Sequence, residues 1–116
     1  MTFSPNPRDL PNCTLVTLPA EIDISNADLL YAETMDLVHA RTGRLRVLVL
    51  DLTGTRFMDS QGVRLLDQVR HRLHHPPRTE LRVAVDPEGM AGRVLNLTGL
   101  RRDVAVYDDL VEAVSA

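Results

Sequence analysis

Asp59 and Ser60 carry the most distinctive chemistry of the chain, because they stand where an apolar segment gives way to an amphipathic one. A helix is predicted to begin there, and side-chain oxygens at such a position accept hydrogen bonds from the free amides of the first turn. The positive end of the helix dipole also favours phosphate at this point. Ser60 is therefore a candidate phosphate acceptor, although the same residue could equally be an ordinary helix cap.

A buried strand and a helix are predicted on either side of this pair. Residues 47–50 form an unbroken apolar run with β-branched side chains, which is typical of a strand covered on both faces. After Ser60, apolar side chains recur at helical spacing and polar ones lie between them. The predicted buried face of this helix contains Leu65, Leu66, Val69 and Leu73. Gly62, in its first turn, is expected to let another part of the backbone approach closely.

The first part of the chain predicts two strands, at residues 13–18 and 20–24, followed by a helix. Ser25 is the expected start of this helix, with Asp28 three residues later approximating a capping box. Gly43 is the expected end. Residues 1–11 contain three prolines and are predicted to be a flexible lead-in, which leaves residues 12–116 as the folded domain.

The second part predicts two further strand–helix pairs after the sequence 74–77, whose prolines end the central helix. A strand is predicted at 81–85, where Arg82 and Ala84 alternate with apolar residues. The next helix is expected to open at residues 86–88 and to bury Met90, Val94 and Leu97, with Gly99 as its C-terminal cap. A strand at 104–107 precedes a last helix capped by Asp108. The predicted order is ββαβαβαβα, and alternating strands and helices favour an α/β sheet.

Composition narrows the possible functions. The 116 residues suffice for one domain, and a net charge of −3 provides no basic field of the kind that nucleic-acid binding requires. All 13 basic residues are Arg, which excludes P-loop and Schiff-base lysines. A lone Cys13 and the lack of a long apolar stretch or signal pattern predict a cytoplasmic protein without a membrane anchor.

The segment around Ser60 resembles the STAS family, in particular the bacterial anti-sigma factor antagonists. Their hallmark is a hydrophobic strand, a loop with an apolar pair, and Asp-Ser-(Ser/Thr)-Gly-(Leu/Val) at a helix start. The resemblance covers roughly residues 12–115, and two other family elements follow the same order and spacing. The matching segments are 50–52 with 57–63, 20–23, and 97–100 with 104–108. Two departures are Ala20, where the family usually has Gly, and Gln61, where a second Ser or Thr is common.

The resemblance implies a single STAS-like domain, with a mixed central sheet of four or five strands and helices mainly on one face. It also implies a partner switch in the control of transcription, for example in a stress response. The unphosphorylated protein would bind an anti-sigma factor with a histidine-kinase-like fold and so release a sigma factor. That partner would use ATP to phosphorylate Ser60, and a Ser/Thr phosphatase would reverse the reaction. No enzymatic activity and no cofactor are expected, and neither is direct binding to nucleic acid or membrane.

The resemblance also assigns roles to residues near Ser60. Asp23 is placed close to the phosphorylation site, and Asp59 is expected to cap the helix and to add negative charge. The small and polar residues of the exposed helix face form either a solvated surface or a docking surface, and the resemblance favours docking. They are Gln61, Gly62, Arg64 and Gln68.

Other interpretations have less support in the sequence. Asp51 ends a central strand like the phosphate-accepting aspartate of a receiver domain, but the chain lacks the acidic pair and the lysine which that chemistry needs. His71 and His75 are four residues apart, yet no acidic residue accompanies them as a zinc ligand. Two alternatives remain open. One is a small-ligand or nucleotide sensor with Ser60 and Asp23 in a pocket, and the other is a scaffold subunit of a signalling complex.

Overall fold

A five-stranded sheet forms the centre of the structure, a computed structural model that describes residues 7–116. Its strands lie in the order β1-β2-β4-β6-β7. β1 is antiparallel to β2, and the remaining neighbours are parallel. The five strands are β1 Arg8–Asp9, β2 Thr14–Thr17, β4 Val47–Leu52, β6 Glu80–Val85 and β7 Ala105–Tyr107. A separate parallel ribbon consists of β3 Glu21–Ile22 and β5 Phe57–Met58.

Four helices and a short 3₁₀ helix accompany the strands in residues 7–116. They are α1 Ala27–His39, α2 Ser60–Leu73, α3 Met90–Thr98, the 3₁₀ helix Leu100–Arg102 and α4 Leu110–Ser115. The mixed sheet and the α/β class predicted from the sequence are confirmed, as is the approximate element order. The additions to that order are β1, β5 and the 3₁₀ helix. Within residues 7–116, no helix has the length and apolar character needed to cross a membrane.

The central strand β4 contributes to two hydrophobic cores of unequal size. Leu48, Leu50 and Leu52 belong to the main core, together with the buried faces of α1, α2 and α3. Val49 belongs to a smaller core on the opposite face of the sheet, where Ala113 of α4 packs. Both faces of β4 are therefore apolar because both are covered, as the unbroken apolar run 47–50 predicts. Most of the helical cover lies on one side.

Arg82 lies on the less covered face of β6, where alternation predicts a solvent-exposed side chain. It is only 9% exposed, because α4 packs across this part of the sheet. Its guanidinium donates to the Glu80 carboxylate at 2.6 Å and to the carbonyl oxygen of Ala113 at 3.1 Å. The bond to Glu80 raises the pKa of Arg82 above its usual value. This buried cation thus joins β6 to α4 through its Nε and Nη1 atoms.

The segment predicted as a lead-in contributes the edge strand β1. Residues 1–6 lie outside the described part of the chain, but Arg8 and Asp9 pair with β2. Asp9 accepts hydrogen bonds from both Nε and Nη2 of Arg41, at 2.9 and 3.0 Å, and from the Thr14 hydroxyl at 2.8 Å. These bonds fix β1 to the turn that follows α1.

Three predicted helix starts are wrong by one to three residues. In α1 and α3 an acidic side chain first closes a turn, and in α4 the neighbouring acidic residue is the cap. α1 begins at Ala27 and not at Ser25, whose amide and hydroxyl both donate to Asp23. Consequently no capping box with Asp28 forms. α3 begins at Met90 because residues 86–89 form a turn in which Asp86 accepts from the Glu88 amide at 3.0 Å.

α4 is capped by Asp109 and not by Asp108. The carboxylate of Asp109 accepts from the Val111 amide at 2.7 Å, whereas Asp108 pairs with Arg101 at 2.8 Å. Gly99 ends α3 in the left-handed conformation, with φ 74°, as predicted.

The buried face of α3 differs from the predicted one. Ala91 and Leu95 are buried against the main core, whereas Met90 is 43% exposed and Leu97 is 87% exposed. The sequence of α3 contains two apolar stripes, one with Ala91 and Leu95 and one with Met90 and Leu97. The periodicity therefore did not show which of the two is buried. The prediction that Met90 and Leu97 form the core face is wrong.

Candidate functional site

The β3–β5 ribbon brings two separated acidic residues to the start of α2. Ile22 lies opposite Met58 in the ribbon, and the Asp59 amide donates to the Ile22 carbonyl oxygen at 3.2 Å. Asp23 and Asp59, the residues that follow, therefore leave the ribbon side by side. The Ala20 carbonyl oxygen anchors its other end by accepting from the amides of Arg56 and Phe57, at 2.7 and 3.1 Å. This pairing was not predicted, because a two-residue strand has no periodicity to detect.

Ala20 causes no backbone strain in this anchor. No non-glycine residue among 7–116 has a positive φ, so Ala20 keeps an ordinary conformation where glycine is usual in the family it resembles. The first of the two departures from the family pattern is thus compatible with the local structure.

Asp59 is the cap of α2, and Ser60 is the first helical residue. The Asp59 carboxylate accepts from the Gln61 amide at 2.8 Å, and its carbonyl oxygen accepts from the Gly62 amide at 3.0 Å. Ser60 is exposed, and no group within residues 7–116 forms a hydrogen bond with its hydroxyl. The interpretation of Ser60 as the helix cap is wrong, because Asp59 takes that role. The serine hydroxyl is left free for other chemistry.

Gly62 is buried beneath the start of α2, not exposed on its outer face. A Cβ at this position would lie 2.6 Å from Sδ of Met58 and 3.3 Å from Cγ2 of Ile22, and it would also clash with Cγ of Met58. The close approach predicted for this glycine occurs, but its neighbours are side chains of the ribbon and not a backbone. Gly62 therefore positions α2 on the β3–β5 ribbon and does not present a docking surface.

Asp23 uses its carboxylate to close the turn between β3 and α1. It accepts from the Ser25 amide at 2.8 Å and from the Ser25 hydroxyl, and these bonds lower the pKa of Asp23 below its usual value. The Asn26 side chain completes the turn by accepting from the Asp23 amide at 3.0 Å and donating to the Glu21 carbonyl oxygen at 2.7 Å. The structure places Asp23 beside Asp59, with its hydrogen bonds directed to its own turn.

Gln61, Arg64 and Gln68 lie along one stripe of α2, since their spacings of three and four residues match the helical repeat. Arg64 is exposed, and the two glutamines are partly buried. Gln68 lines a depression between α1 and α2 together with Tyr31 and His71. Gln61 and Arg64 are therefore the members of the predicted set that present side chains close to Ser60.

Two exposed apolar side chains border the acidic pair, and the sequence analysis did not identify them as surface features. Ile24 follows Asp23 and is 79% exposed, and Phe57 lies in β5 and is 42% exposed. Their neighbours Ile22 and Met58 take the inward positions of the ribbon. Phe57 and Met58 are neighbours in β5 and face opposite sides, as alternation requires, whereas Ile24 follows the end of β3 at the same parity as the buried Ile22, so alternation does not reveal its exposure.

The chemistry of the other candidate groups is more restricted. Asp51 is buried, and its carboxylate accepts from both the amide and the hydroxyl of Thr53, at 2.9 and 2.6 Å. Within residues 7–116, no three His, Cys, Asp or Glu side chains are grouped so that they could hold a metal ion. Four surface depressions of the described chain have neither Ser60 nor Asp23 in their linings.

Known structures share this architecture. An anti-sigma factor antagonist from Mycobacterium paratuberculosis is 24% identical, with a TM-score of 0.83 over 97% of this chain and 91% of that one. The anti-sigma factor antagonist SpoIIAA in its unphosphorylated form is 15% identical, with a TM-score of 0.66 over 94% and 92% of the two chains. The murine Solute Carrier 26 family member A9 anion transporter matches 92% of this chain with only 18% of its own length, at 15% identity and a TM-score of 0.71.

At these identities, the likeness to solved structures shows the fold, and the transporter shows that the same fold serves proteins of a different kind. No protein with curated annotation matches the chain in sequence. The STAS domain family model, in contrast, matches residues 4–113. Because that match spans nearly the whole chain, the protein belongs to the STAS domain family.

Proposed function

We propose that this protein is an anti-sigma factor antagonist whose binding is switched by phosphorylation of Ser60. The observation that carries the proposal is the exposed Ser60 hydroxyl, which lies directly after the helix cap Asp59 and has no hydrogen-bond partner within the described chain. A kinase can reach such a group without unfolding the domain. The two antagonists of similar fold support the assignment.

The electrostatics of α2 are compatible with a phosphate on Ser60. The first turn of α2 contains no acidic residue, so the positive end of the helix dipole is balanced only by the cap carboxylate. A phosphate there would add roughly −1.5 to −2 charges. The helix dipole would stabilise it in the free protein. Phosphorylation therefore need not disturb the fold.

The binding surface proposed for the anti-sigma factor surrounds Ser60. It combines the apolar side chains Ile24 and Phe57 with the polar side chains Gln61 and Arg64, all at the same end of the domain. An apolar centre with a polar border is the usual composition of a protein interface. Asp23 and Asp59 place two carboxylates within this surface, which makes a further negative charge at Ser60 more costly when a partner covers it.

The switch follows from the cost of burying that charge. An unpaired charge in a desolvated interface costs about 2–5 kcal/mol, and roughly 1.4 kcal/mol corresponds to a tenfold change in affinity. Phosphorylation would thus weaken the complex by about two to three orders of magnitude. That change is large enough to exchange partners without a change of fold.

The partners follow from the same proposal. A histidine-kinase-like anti-sigma factor binds the unphosphorylated protein, which releases a sigma factor for transcription, and the same partner phosphorylates Ser60 with ATP. A Ser/Thr phosphatase restores the binding form. In this cycle the protein is a ligand and a substrate in the cytoplasm, and it carries out no catalysis of its own.

Phosphate transfer from candidate anti-sigma factors tests the proposal. The protein is incubated with ATP and each histidine-kinase-like anti-sigma factor of the host, and its intact mass is then measured. Ser60→Ala is the test variant, and Ser25→Ala is the matched control because Ser25 is also exposed in a turn at this end of the domain. We expect one phosphate on the wild type and on Ser25→Ala, and none on Ser60→Ala. Stable complexes without phosphate transfer would contradict the switch, and the absence of both would contradict the assigned function.

A further inference from the structure

A groove lined by four arginines lies at the end of the sheet opposite Ser60. Arg41 and Arg44 come from the turn after α1, Arg46 precedes β4, and Arg82 comes from β6. We call this the arginine groove. Its volume is about 720 Å³, which falls within the range of about 300–1,000 Å³ usual for small-molecule sites. Ser60 follows the carboxyl end of β4, whereas the groove lies at its amino end, so the two sites do not overlap.

Two of the four guanidinium groups are held in place by ion pairs. Arg41 forms a two-pronged pair with Asp9 and also donates to the Leu37 carbonyl oxygen at 3.1 Å. Arg82 is held between Glu80 and Ala113 through Nε and Nη1, and no group within residues 7–116 accepts from its Nη2. The side chain of Arg82 is 11% exposed. The groove therefore has rigid walls and a preformed donor.

Arg44 and Arg46 supply the uncompensated charge. Neither forms a side-chain hydrogen bond or an ion pair with any residue of the described chain, and both are exposed. Arg44 is close enough to Asp9 to lower the pKa of that carboxyl, without forming a bond to it. Asp9 and Glu80 pair with Arg41 and Arg82, so Arg44 and Arg46 are the cations of the groove that pair with no acidic side chain of the described chain. A ligand of about two negative charges would balance them.

The remaining walls of the groove indicate what else the ligand contains. Leu10, Leu45 and Val47 contribute apolar surface between the guanidinium groups. Guanidinium groups bind phosphate and carboxylate through paired hydrogen bonds, and a phosphate monoester carries roughly −1.5 to −2 charges at neutral pH. We propose that the arginine groove is a binding site for a small phosphate monoester with an apolar body, bound by Arg44, Arg46 and Nη2 of Arg82.

This site is independent of the proposed switch at Ser60. A ligand in the groove would join the turn after α1, the start of β4 and β6, and would thereby stabilise the folded state by mass action. The basic side chains do more than balance the helix dipole at the end of α1, because Arg46 precedes β4 and Arg82 belongs to β6, so both lie outside any helix.

Titration with phenyl phosphate tests the proposal. Binding is measured by calorimetry and by backbone amide NMR shifts, with inorganic phosphate as the second probe. The test variant is Arg44→Gln/Arg46→Gln, and the matched control is Arg93→Gln/Arg102→Gln, which removes the same charge from exposed arginines of α3 and the following 3₁₀ helix. We expect saturable binding of phenyl phosphate with shifts at residues 13–14 and 45–47, and none at residues 60–62. The test variant should lose affinity by about tenfold or more, and the control should keep it.

Three results would overturn the proposal. The first is an absence of saturable binding of phenyl phosphate at millimolar concentrations. The second is equal weakening in both double variants, which would indicate a general effect of net charge. The third is equal affinity for inorganic phosphate, because the apolar wall would then take no part in binding. The shift map of the wild type decides the location of binding even if the test variant folds poorly. None of these results depends on phosphate transfer to Ser60.

Discussion

Gly62 lies directly over the side chain of Met58, with no room between them for a methyl group. A Cβ on Gly62 would lie 2.6 Å from Sδ of Met58, well inside van der Waals contact. Met58 is 1% exposed, and Ile22 beside it is fully buried. This contact sets the height of α2 above the β3–β5 ribbon and therefore the position of the cap Asp59 and of Ser60.

Gly62→Ala is expected to lower the free energy of unfolding by about 2 kcal/mol, because so short a contact places the overpacking cost at the upper end of its range. Overpacking a buried contact costs roughly 1–3 kcal/mol, and the higher helix propensity of alanine offsets about 1 kcal/mol of that cost. Met58 has little space into which it could move, since the core surrounds it. Urea denaturation measures the change as a lower midpoint.

Gly54→Ala is the matched control for this substitution. Gly54 is exposed, and a Cβ there would have no heavy atom within 4 Å. Its φ is not positive, so alanine can adopt the backbone conformation. We expect a change within about 1 kcal/mol, in the stabilising direction. Equal midpoints for Gly62→Ala and the wild type would contradict the role assigned to the Gly62–Met58 contact.

Asp59→Ala should destabilise the fold by about 0.5–2 kcal/mol, because the Gln61 amide loses its acceptor. Asp59→Asn should retain most of the stability, since the amide oxygen of asparagine also caps helices well. Thermal unfolding of the three proteins at one pH provides the comparison. If the asparagine variant were as unstable as the alanine variant, the charge of Asp59 and not its cap would be the stabilising feature.

Stability at acidic pH is expected to depend on the Asp9–Arg41 pair. Hydrogen bonds from Arg41 and Thr14 lower the pKa of Asp9 from 3.8 to about 2. Because the pKa is lower in the folded than in the unfolded state, the stabilisation is complete above pH 3.8 and is lost as the pH falls to about 2.

Asp9→Asn isolates this contribution. The difference in denaturation midpoint between the wild type and this variant should be constant near neutral pH and should shrink between pH 3.8 and 2. High salt should reduce it, because the Asp9 side chain is half exposed and the pair is screened. A difference that is unchanged at the lowest pH would show that the carboxylate charge contributes nothing.

Those parts of the fold that are set by long periodic patterns were predicted from the sequence. α2 has a continuous apolar stripe, one cap and a proline-terminated end, and its buried face Leu65, Leu66, Val69 and Leu73 is confirmed. β4 begins with the unbroken apolar run 47–50, which predicts a covered strand, and the structure confirms it. In both elements, local propensity and tertiary packing favour the same structure.

Other parts were decided by contacts that a single sequence does not reveal. Ala91 and Leu95 compete with Met90 and Leu97 for the core face of α3, and only the position of the helix on the sheet selects between the two stripes. Ribbon pairing between residues 21–22 and 57–58 joins segments about 36 positions apart in the chain, as the register shows. The sequence placed the candidate site at the start of α2, which stays a prediction, and only the structure revealed that the site is built on this ribbon.

Ser60→Glu is expected to weaken binding to the anti-sigma factor by about two to three orders of magnitude, since it places a charge within the proposed interface. Ser60→Ala should bind as well as the wild type, because the serine hydroxyl has no described partner to lose. Calorimetric titration of both variants with the anti-sigma factor measures the difference. Tight binding by Ser60→Glu would rule out charge at this position as the switch.

Ile24→Ser should weaken the same complex by about tenfold or more, with little change in stability. The Ile24 side chain is 79% exposed in the free protein, so its apolar surface is available to a partner, and burying it there is worth roughly 1.5–3 kcal/mol. Leu97→Ser is the matched control, because Leu97 is 87% exposed on α3 and is not part of the proposed surface. Equal binding by the two variants would show that Ile24 is not part of the interface. Weaker binding by Leu97→Ser alone would place it on the outer stripe of α3, where Met90 is also exposed.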